Sequence, residues 1–219
     1  MSLKLLLARH GSSDAYEQID ADEEIFRQTK SSPLSHLGQT QAHLLGRQIT
    51  VYRPDVLLTS PFTRARQTAD IVAQYSPLFA NVLPELAEIR RIVDGQSIYS
   101  QLNLDYKRWR GETIKSGNLH SKFHPQDESF GEFFQKVIRF KHSLVKDFDN
   151  QVVLVIGHSQ FFSMFLSSVI LGDKPQPKEL FEYFNRHFMN HGALSIVTHD
   201  FRHGWQLKEK DFNITTHLD

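Results

Sequence analysis

Short runs of consecutive apolar residues alternate along this chain with longer segments in which apolar residues recur every three or four positions. The first run is Leu3 to Ala8, and the clearest is Gln151 to Ile156. Runs without polar alternation are typical of strands buried on both faces, and the amphipathic segments are typical of helices. The alternation predicts an α/β fold, a three-layer α/β/α sandwich with a mostly parallel central sheet.

The pattern also predicts where the elements lie within one domain, residues 1–219. Residues 89–126 show no sustained period, so we expect an irregular lid or insertion there. Ser12 to Lys30 is polar and predicts a surface loop, and Ser35 and Ser129 are expected to cap helices. After the first run, the predicted strands are 55–60, 79–83, 151–156, 193–198 and an edge strand at 205–208, and the predicted helices are 35–52, 62–75, 129–148, 160–171 and 178–187.

Composition excludes several classes of function. The 219 residues include 25 Lys and Arg against 25 Asp and Glu, so no general attraction to nucleic acid or to an anionic membrane is expected. The chain has no Cys, which excludes disulfides and thiolate metal sites. The 12 His residues include no pair whose spacing and local context together suggest metal ligation, so no metal and no cofactor are expected. No apolar run is long enough for a membrane span, and a cytoplasmic protein is the expectation; the oligomeric state is not indicated.

Chemically active side chains follow four of the predicted strands. Arg9 and His10 end the first, Arg64 follows the second, Glu88 follows the third and His158 follows the strand at 151–156. Ligands of open α/β sheets bind at the carboxyl ends of parallel strands. If these strands are parallel, two arginines, two histidines and a carboxylate surround one crevice.

That set of side chains is typical of phosphoryl transfer. Arginine presents paired donors to phosphate oxygens, and a neutral histidine can attack phosphorus and leave again. The cations stabilise the charge of the transition state, so no metal is required in principle. A carboxylic acid can protonate the leaving alkoxide, and the helix after His158 adds free N–H groups.

Five motifs occur in order from Leu3 to about Thr198, and together they resemble the histidine phosphatase superfamily, also called the phosphoglycerate mutase-like family. That resemblance implies that His10 is the nucleophile that becomes phosphohistidine, that Glu88 donates the proton, and that Arg9, Arg64 and His158 complete the phosphate pocket. The motifs are Arg9-His10-Gly11, Leu34-Ser35-x-x-Gly38-x-x-Gln41-Ala42, Ser60-Pro61-x-x-Arg64-Ala65-x-Gln67-Thr68-Ala69, Leu86-x-Glu88 and Gly157-His158-Ser159.

The chain also departs from the family pattern. The family often shows an acidic or amide residue, a Thr and an Asn after the Arg-His-Gly motif, where this chain has Ser12, Ser13 and Tyr16. Ser13 can replace the Thr hydroxyl as a phosphate ligand, but Tyr16 does not replace an Asn amide. Asp127 stands where the family usually has a Gly before Glu128-Ser129.

Four interpretations follow. The leading one is a metal-independent phosphatase that hydrolyses a small phosphomonoester. A phosphoglycerate mutase is disfavoured, because such enzymes usually carry a Glu-Arg-His-Tyr-Gly-like segment, and here Glu88 is followed by Ile89-Arg90-Arg91-Ile92-Val93. A non-catalytic phosphate-binding scaffold on the same fold would explain Ser12 and Tyr16. An α/β-hydrolase would use Ser159, but its nucleophile elbow needs Gly where Phe161 stands.

Overall fold

The computed structural model describes residues 2–13, 32–90, 92–93, 96–97 and 103–218. Most of the predicted loop at Ser12 to Lys30 therefore lies outside the described residues. Helices and strands alternate through the described part of the chain, as the apolar pattern predicts. In chain order the elements are β1 (Ser2–Arg9), α1 (His36–Ile49), β2 (Val56–Thr59), α2 (Thr63–Val72), β3 (Ala80–Val82), β4 (Ile92–Val93), β5 (Gln96–Ser97), α3 (Asn103–Ser116), α4 (Phe130–Asp147), β6 (Val152–Gly157), α5 (Ser159–Leu171), α6 (Pro177–Arg186), β7 (Leu194–Asp200) and β8 (Gly204–Leu207).

The apolar run of β1 is buried on both faces of the sheet. Leu5 and Leu7 belong to one hydrophobic core, and Leu6 and Ala8 belong to a second core. Successive side chains of a strand point to opposite faces, so both sides of β1 are covered. This double burial is the physical reason for the missing polar alternation, and the prediction from the sequence is confirmed.

The main sheet has six strands in the order β3-β2-β6-β1-β7-β8. β1 pairs in parallel with β6, and β2 pairs in parallel with both β6 and β3. β7 is antiparallel to β1, and β8 is antiparallel to β7. The predicted mostly parallel sheet is confirmed, and the carboxyl ends of β1, β2, β3 and β6 lie at one edge.

Helices cover the two faces of the sheet in separate layers. Helices α4, α5 and α6 form one layer with a core rich in phenylalanine, which includes Phe133 and Phe161. Helices α1 and α2 form the other layer, through Leu45 and Ala69. The predicted caps are present. The Ser35 hydroxyl accepts from the Gly38 N–H at 3.1 Å, and Ser129 forms a reciprocal capping box at the start of α4.

Two predictions of local structure are corrected. The irregular segment predicted over 89–126 contains the regular helix α3, on which Tyr106 and Thr113 are buried and Trp109 stacks on Phe130. This stripe is short and includes a threonine, so its hydrophobic period is too weak to read from the sequence. Helix α2 is Thr63–Val72 rather than 62–75, and it begins after a turn in which the Ser60 hydroxyl accepts from the Phe62 N–H.

The loop after β1 packs directly against the start of α1, backbone against backbone. An ideal Cβ atom built on Gly11 would lie 2.3 Å from the Gly38 carbonyl oxygen, and one built on Gly38 would lie 1.9 Å from the Ser12 carbonyl oxygen. Both distances are far shorter than van der Waals contact. Glycine at both positions is therefore a requirement of the close approach of these two backbones.

We predict that Gly38→Ala lowers the free energy of unfolding by about 3 kcal/mol, because the methyl group forces the loop and helix apart. Urea denaturation measures the change. Gly111→Ala in α3 is the matched control, since its new Cβ would have nothing within 4 Å. It is expected to raise the stability by up to about 1 kcal/mol. Equal effects of the two substitutions would contradict the close-packing argument.

Candidate active site

Three of the predicted residues meet at the edge formed by the ends of the parallel strands. The Arg64 guanidinium lies between two imidazoles, with its Nε 3.0 Å from His10 Nε2 and its Nη2 3.3 Å from His158 Nδ1. The two imidazole rings are 5.1 Å apart, centre to centre. All three side chains are almost completely buried, with exposures of 1% for each histidine and 2% for Arg64. They form a buried cluster of potential phosphate ligands around His10.

The hydrogen bonds of His10 define its tautomer. Its Nδ1 lies 2.6 Å from the Gly11 carbonyl oxygen, which can only accept, so Nδ1 carries the proton. The guanidinium of Arg64 can only donate, so His10 Nε2 holds a lone pair. Burial, reinforced by the charge of Arg64, holds the pKa of His10 well below its ordinary value. A neutral imidazole with an Nε2 lone pair is the form that can attack phosphorus.

His158 is arranged with the opposite tautomer. Its Nδ1 accepts from Arg64, so Nε2 carries the proton and donates to the Ser60 hydroxyl at 2.7 Å. Burial and the charge of Arg64 hold its pKa well below the ordinary value. Ser60 begins the turn that leads to Arg64, so this single bond ties the loop after β2 to the loop after β6.

Glu88 lies at the end of the same sheet edge, beside the first turn of α5. One carboxyl oxygen accepts from the Ile89 N–H at 3.1 Å, and the other accepts from the Gln160 N–H at 3.0 Å. Burial raises the pKa of Glu88 above its ordinary value, although these N–H groups and Arg64 oppose the shift. A carboxyl group whose pKa is raised toward neutrality is suited to donate and recover a proton.

A lysine and a second glutamate fix the segment that carries Glu88. Lys136 of α4 donates to the Ala87 carbonyl at 3.1 Å and pairs with Glu128 at 3.0 Å. Glu128 also accepts from the Arg90 N–H at 3.0 Å. The segment that carries Glu88 is therefore anchored on both sides, at Ala87 by Lys136 and at Arg90 by Glu128, and these two anchoring side chains pair with each other.

Other residues of the sequence motifs bind the backbone of the loop that carries His10. The Gly11 N–H donates to the Thr68 hydroxyl at 3.2 Å, and the Ser12 N–H donates to Gln41 Oε1 at 2.8 Å. Gln67 Oε1 accepts from the Leu34 N–H at 2.7 Å. These side chains lie on α1 and α2, so both helices fix the backbone next to His10.

Two predicted site residues, Arg9 and Ser13, are held by contacts other than the hydrogen bonds of Arg64 to the two histidines. Arg9 donates through Nη1 to the Met189 carbonyl at 2.6 Å, and its Nη2 lies 2.7 Å from His191 Nε2. Ser13 is fully buried and bridges to Leu34 through its backbone. Among the hydrogen bonds of the described residues, none joins Ser13 to His10 or Arg64, so its role as a phosphate ligand stays a prediction.

Sequence analysis missed His191. Its ring lies 5.4 Å from that of His10, centre to centre, and burial lowers its pKa to about 3, with Arg9 and Arg64 as further causes. His191 precedes β7, and β7 is antiparallel to β1. Because β7 runs antiparallel to β1, the amino end of β7 lies at the same edge of the sheet as the carboxyl ends of β1 and of the strands parallel to β1. His191 could have been predicted at the site if β7 had been assigned as antiparallel to β1.

In the part of the chain that the structure describes, no group of three or more His, Asp or Glu side chains is arranged to hold a metal ion. No helix among the same residues combines the length and apolar character needed to cross a membrane.

Residues 5–210 match the sequence model of the histidine phosphatase superfamily, branch 1. The chain belongs to the histidine phosphatase superfamily. The family membership expected from the five motifs is confirmed, and the roles expected for His10, Glu88, Arg9, Arg64 and His158 stay predictions.

Named relatives of this histidine phosphatase superfamily member include both mutases and phosphatases. It is 25% identical to the "Probable phosphoglycerate mutase GpmB" of Yersinia enterocolitica over 170 residues, which is 77% of this chain and 75% of that protein. It is 22% identical over 214 residues to the "Uncharacterized phosphatase PhoE" of Bacillus subtilis, covering 97% of this chain and 95% of the relative.

Solved structures of the superfamily have the same fold. The α-ribazole phosphatase of Shigella flexneri superposes with a TM-score of 0.73 at 21% identity, covering 96% of each chain. The phosphoserine phosphatase of Entamoeba histolytica, solved with 3-phosphoglyceric acid, superposes with a TM-score of 0.73 at 22% identity, covering 99% of this chain and 100% of the other. At these identities the likeness shows the fold alone.

We predict that acid weakens the fold through the three histidines of the site. Their pKa values are lowered in the folded protein, whereas in the unfolded chain they take up protons near pH 6.5. The unfolded state then binds more protons, so the free energy of unfolding falls as pH drops below 6.5, by up to about 1.4 kcal/mol per pH unit for each histidine.

The variant His191→Gln isolates one of these contributions. Between pH 6.5 and pH 5 it is expected to lose about 2 kcal/mol less stability than the native protein, as measured by urea denaturation. His36→Gln, at an exposed position on α1, is the control for the exchange of a histidine for a glutamine. A pH dependence that is the same in all three proteins would contradict the role of burial at His191.

Proposed function

We propose that this protein hydrolyses a small phosphomonoester through a phosphohistidine on Nε2 of His10. One observation carries the proposal. His10 is a buried, neutral imidazole whose Nε2 lone pair faces a guanidinium of Arg64, with His158 bound to the same guanidinium. A nucleophile and the donors for a phosphoryl group thus converge on one point.

In the first step, the lone pair of His10 Nε2 forms a bond to phosphorus while the ester P–O bond breaks. Arg64 exchanges its hydrogen bond to Nε2 for one to a phosphoryl oxygen, and the Gly11 carbonyl stabilises the positive charge that develops on the ring at Nδ1–H. The bonding electrons leave with the ester oxygen. Glu88, whose pKa is raised by burial, gives its proton to that oxygen.

In the second step, the resulting Glu88 carboxylate takes a proton from a water molecule. The water oxygen bonds to phosphorus, the N–P bond breaks, and its electron pair returns to His10 Nε2. Inorganic phosphate leaves, and both His10 and Glu88 regain their starting protonation states. Since the guanidinium groups of Arg64 and Arg9 supply the positive charge, the proposed cycle needs no metal ion.

The alternative is phosphoryl transfer of the phosphoglycerate mutase type, which uses the same phosphohistidine but transfers the group to a second substrate hydroxyl. The relative named as a phosphoglycerate mutase favours it. The sequence after Glu88 favours hydrolysis, because Ile89-Arg90-Arg91 replaces the segment that mutases usually carry. A phosphate-binding scaffold without turnover is the remaining possibility, and it predicts vanadate binding without catalysis.

We predict that the protein hydrolyses p-nitrophenyl phosphate in the presence of a chelator and that His10→Ala lowers kcat at least about 10³-fold, since the nucleophile is lost. His36→Ala, at an exposed histidine, is the control and should retain full activity. An acid-labile phosphoprotein that His10→Ala cannot form identifies the intermediate. Full activity in His10→Ala would overturn the proposal, and interconversion of phosphoglycerates without hydrolysis would select the mutase alternative.

We predict that the loss of kcat caused by Glu88→Gln depends on the leaving group of the substrate. An alkyl phosphate needs protonation of its leaving oxygen, so its kcat should fall by about 10²-fold or more, whereas p-nitrophenyl phosphate should lose far less in the first step. Burst-phase kinetics separate that step from hydrolysis of the intermediate. Glu85→Gln is the matched control, because Glu85 is exposed three residues earlier. Equal losses for both substrates would assign Glu88 a structural role.

A further inference from the structure

The side chain of Arg9 is fixed by a carbonyl group and an imidazole. Its Nη1 donates to the Met189 carbonyl at 2.6 Å, and its Nη2 lies 2.7 Å from His191 Nε2. A guanidinium remains protonated and can only donate, so His191 Nε2 must accept. The hydrogen bond therefore exists only while His191 is neutral.

The backbone around His191 places this imidazole firmly. The Gly192 N–H is shared between the carbonyl groups of Arg9 and His10, each at 3.2 Å. The Gly192 carbonyl accepts from His217 Nε2 at 2.9 Å, and Gly192 itself has a φ of +72°, which favours glycine. The loop before β7 is thus bound to the end of β1 through the N–H group of Gly192 and to His217 through the carbonyl group of Gly192.

The surroundings keep His191 in the accepting form. Burial, with Arg9 and Arg64 as additional causes, lowers its pKa to about 3, so the ring stays neutral at neutral and mildly acidic pH. A carboxylate at this position would hold the same guanidinium but would also cancel its charge. A neutral imidazole fixes the direction of Arg9 and leaves the charge of the pair at +1.

We infer that His191 is a positioning residue that holds Arg9 toward the phosphate pocket as a neutral acceptor, which favours a doubly negative phosphoryl group. This inference rests on the proposed function insofar as the pocket beside His10 binds phosphate. It adds a residue that acts through Arg9, and it states why a histidine rather than an acid stands there.

The substitutions His191→Gln and His191→Glu test this inference as a matched pair. Both side chains have nearly the same size and reach toward Arg9, and both can accept its hydrogen bond, but only Glu adds a negative charge. Inorganic vanadate serves as the probe, and isothermal titration measures its binding without any need for turnover. Thermal unfolding of each variant checks that it is folded.

We predict that His191→Gln binds vanadate within about threefold of the native protein and that His191→Glu binds it at least about tenfold more weakly, because the carboxylate neutralises Arg9. The same charge should raise the pKa of His10, so the acidic limb of any kcat/KM profile should move to higher pH in His191→Glu alone. A purely structural role would move neither quantity selectively.

The possible results separate the inference from the proposed function. Equal vanadate affinities for the Gln and Glu variants, or equal losses in both, would overturn the positioning role of His191. Weakened binding in His191→Glu alone would support it even if the native protein shows no turnover. If the native protein binds neither vanadate nor inorganic phosphate, the proposed phosphate pocket is wrong, and the inference is wrong with it.

A further variant covers the case in which His191→Glu does not fold. His191→Leu removes the hydrogen-bond acceptor without adding a charge. Weaker vanadate binding in His191→Leu than in His191→Gln would support the positioning role, and equal binding in these two variants would overturn it.

Discussion

The site depends on the burial of a guanidinium between imidazoles. Arg64 is 2% exposed, and its hydrogen bonds run to His10 and His158. A buried cation without acceptors would cost several kcal/mol, so the two histidines are needed to hold it. In return, the cation helps to keep both histidines neutral, because it disfavours a second positive charge nearby. The cluster is stable as a set of mutually supporting groups and retains positive charge for an anion.

Apart from Arg64 on α2, the side chains of the two helices that border this cluster hold the backbone of the site. Thr68 and Gln41 accept from the N–H groups that follow His10, and Gly38 allows the two backbones to meet. The motifs around Gly38 and Arg64 thus combine one proposed phosphate ligand with several backbone anchors. Hydrogen bonds from rigid helices can thus fix the position of a nucleophile that lies in a loop.

Burial shifts the pKa of the proposed acid, Glu88, in the opposite direction to that of the proposed nucleophile, His10. Glu88 is buried like His10, but its carboxyl group meets backbone N–H groups, and burial raises its pKa whereas burial lowers that of His10. The same dry environment thus leaves both groups closer to their uncharged forms. These are the forms that a proton donor and a nucleophile need at the start of the proposed cycle.

The sequence by itself determined the layers of the fold and most of the site, because the evidence for both is local. Doubly buried strands are visible as unbroken apolar runs, and His10, Arg64 and His158 each follow such a run, whereas Glu88 follows the short edge strand β3. Helix α3 was not predictable, because its buried face is a short stripe completed by contacts such as Trp109 on Phe130. Only the tertiary structure placed His191 beside Arg9, because strand direction, which no local pattern encodes, decides which end of β7 reaches the site.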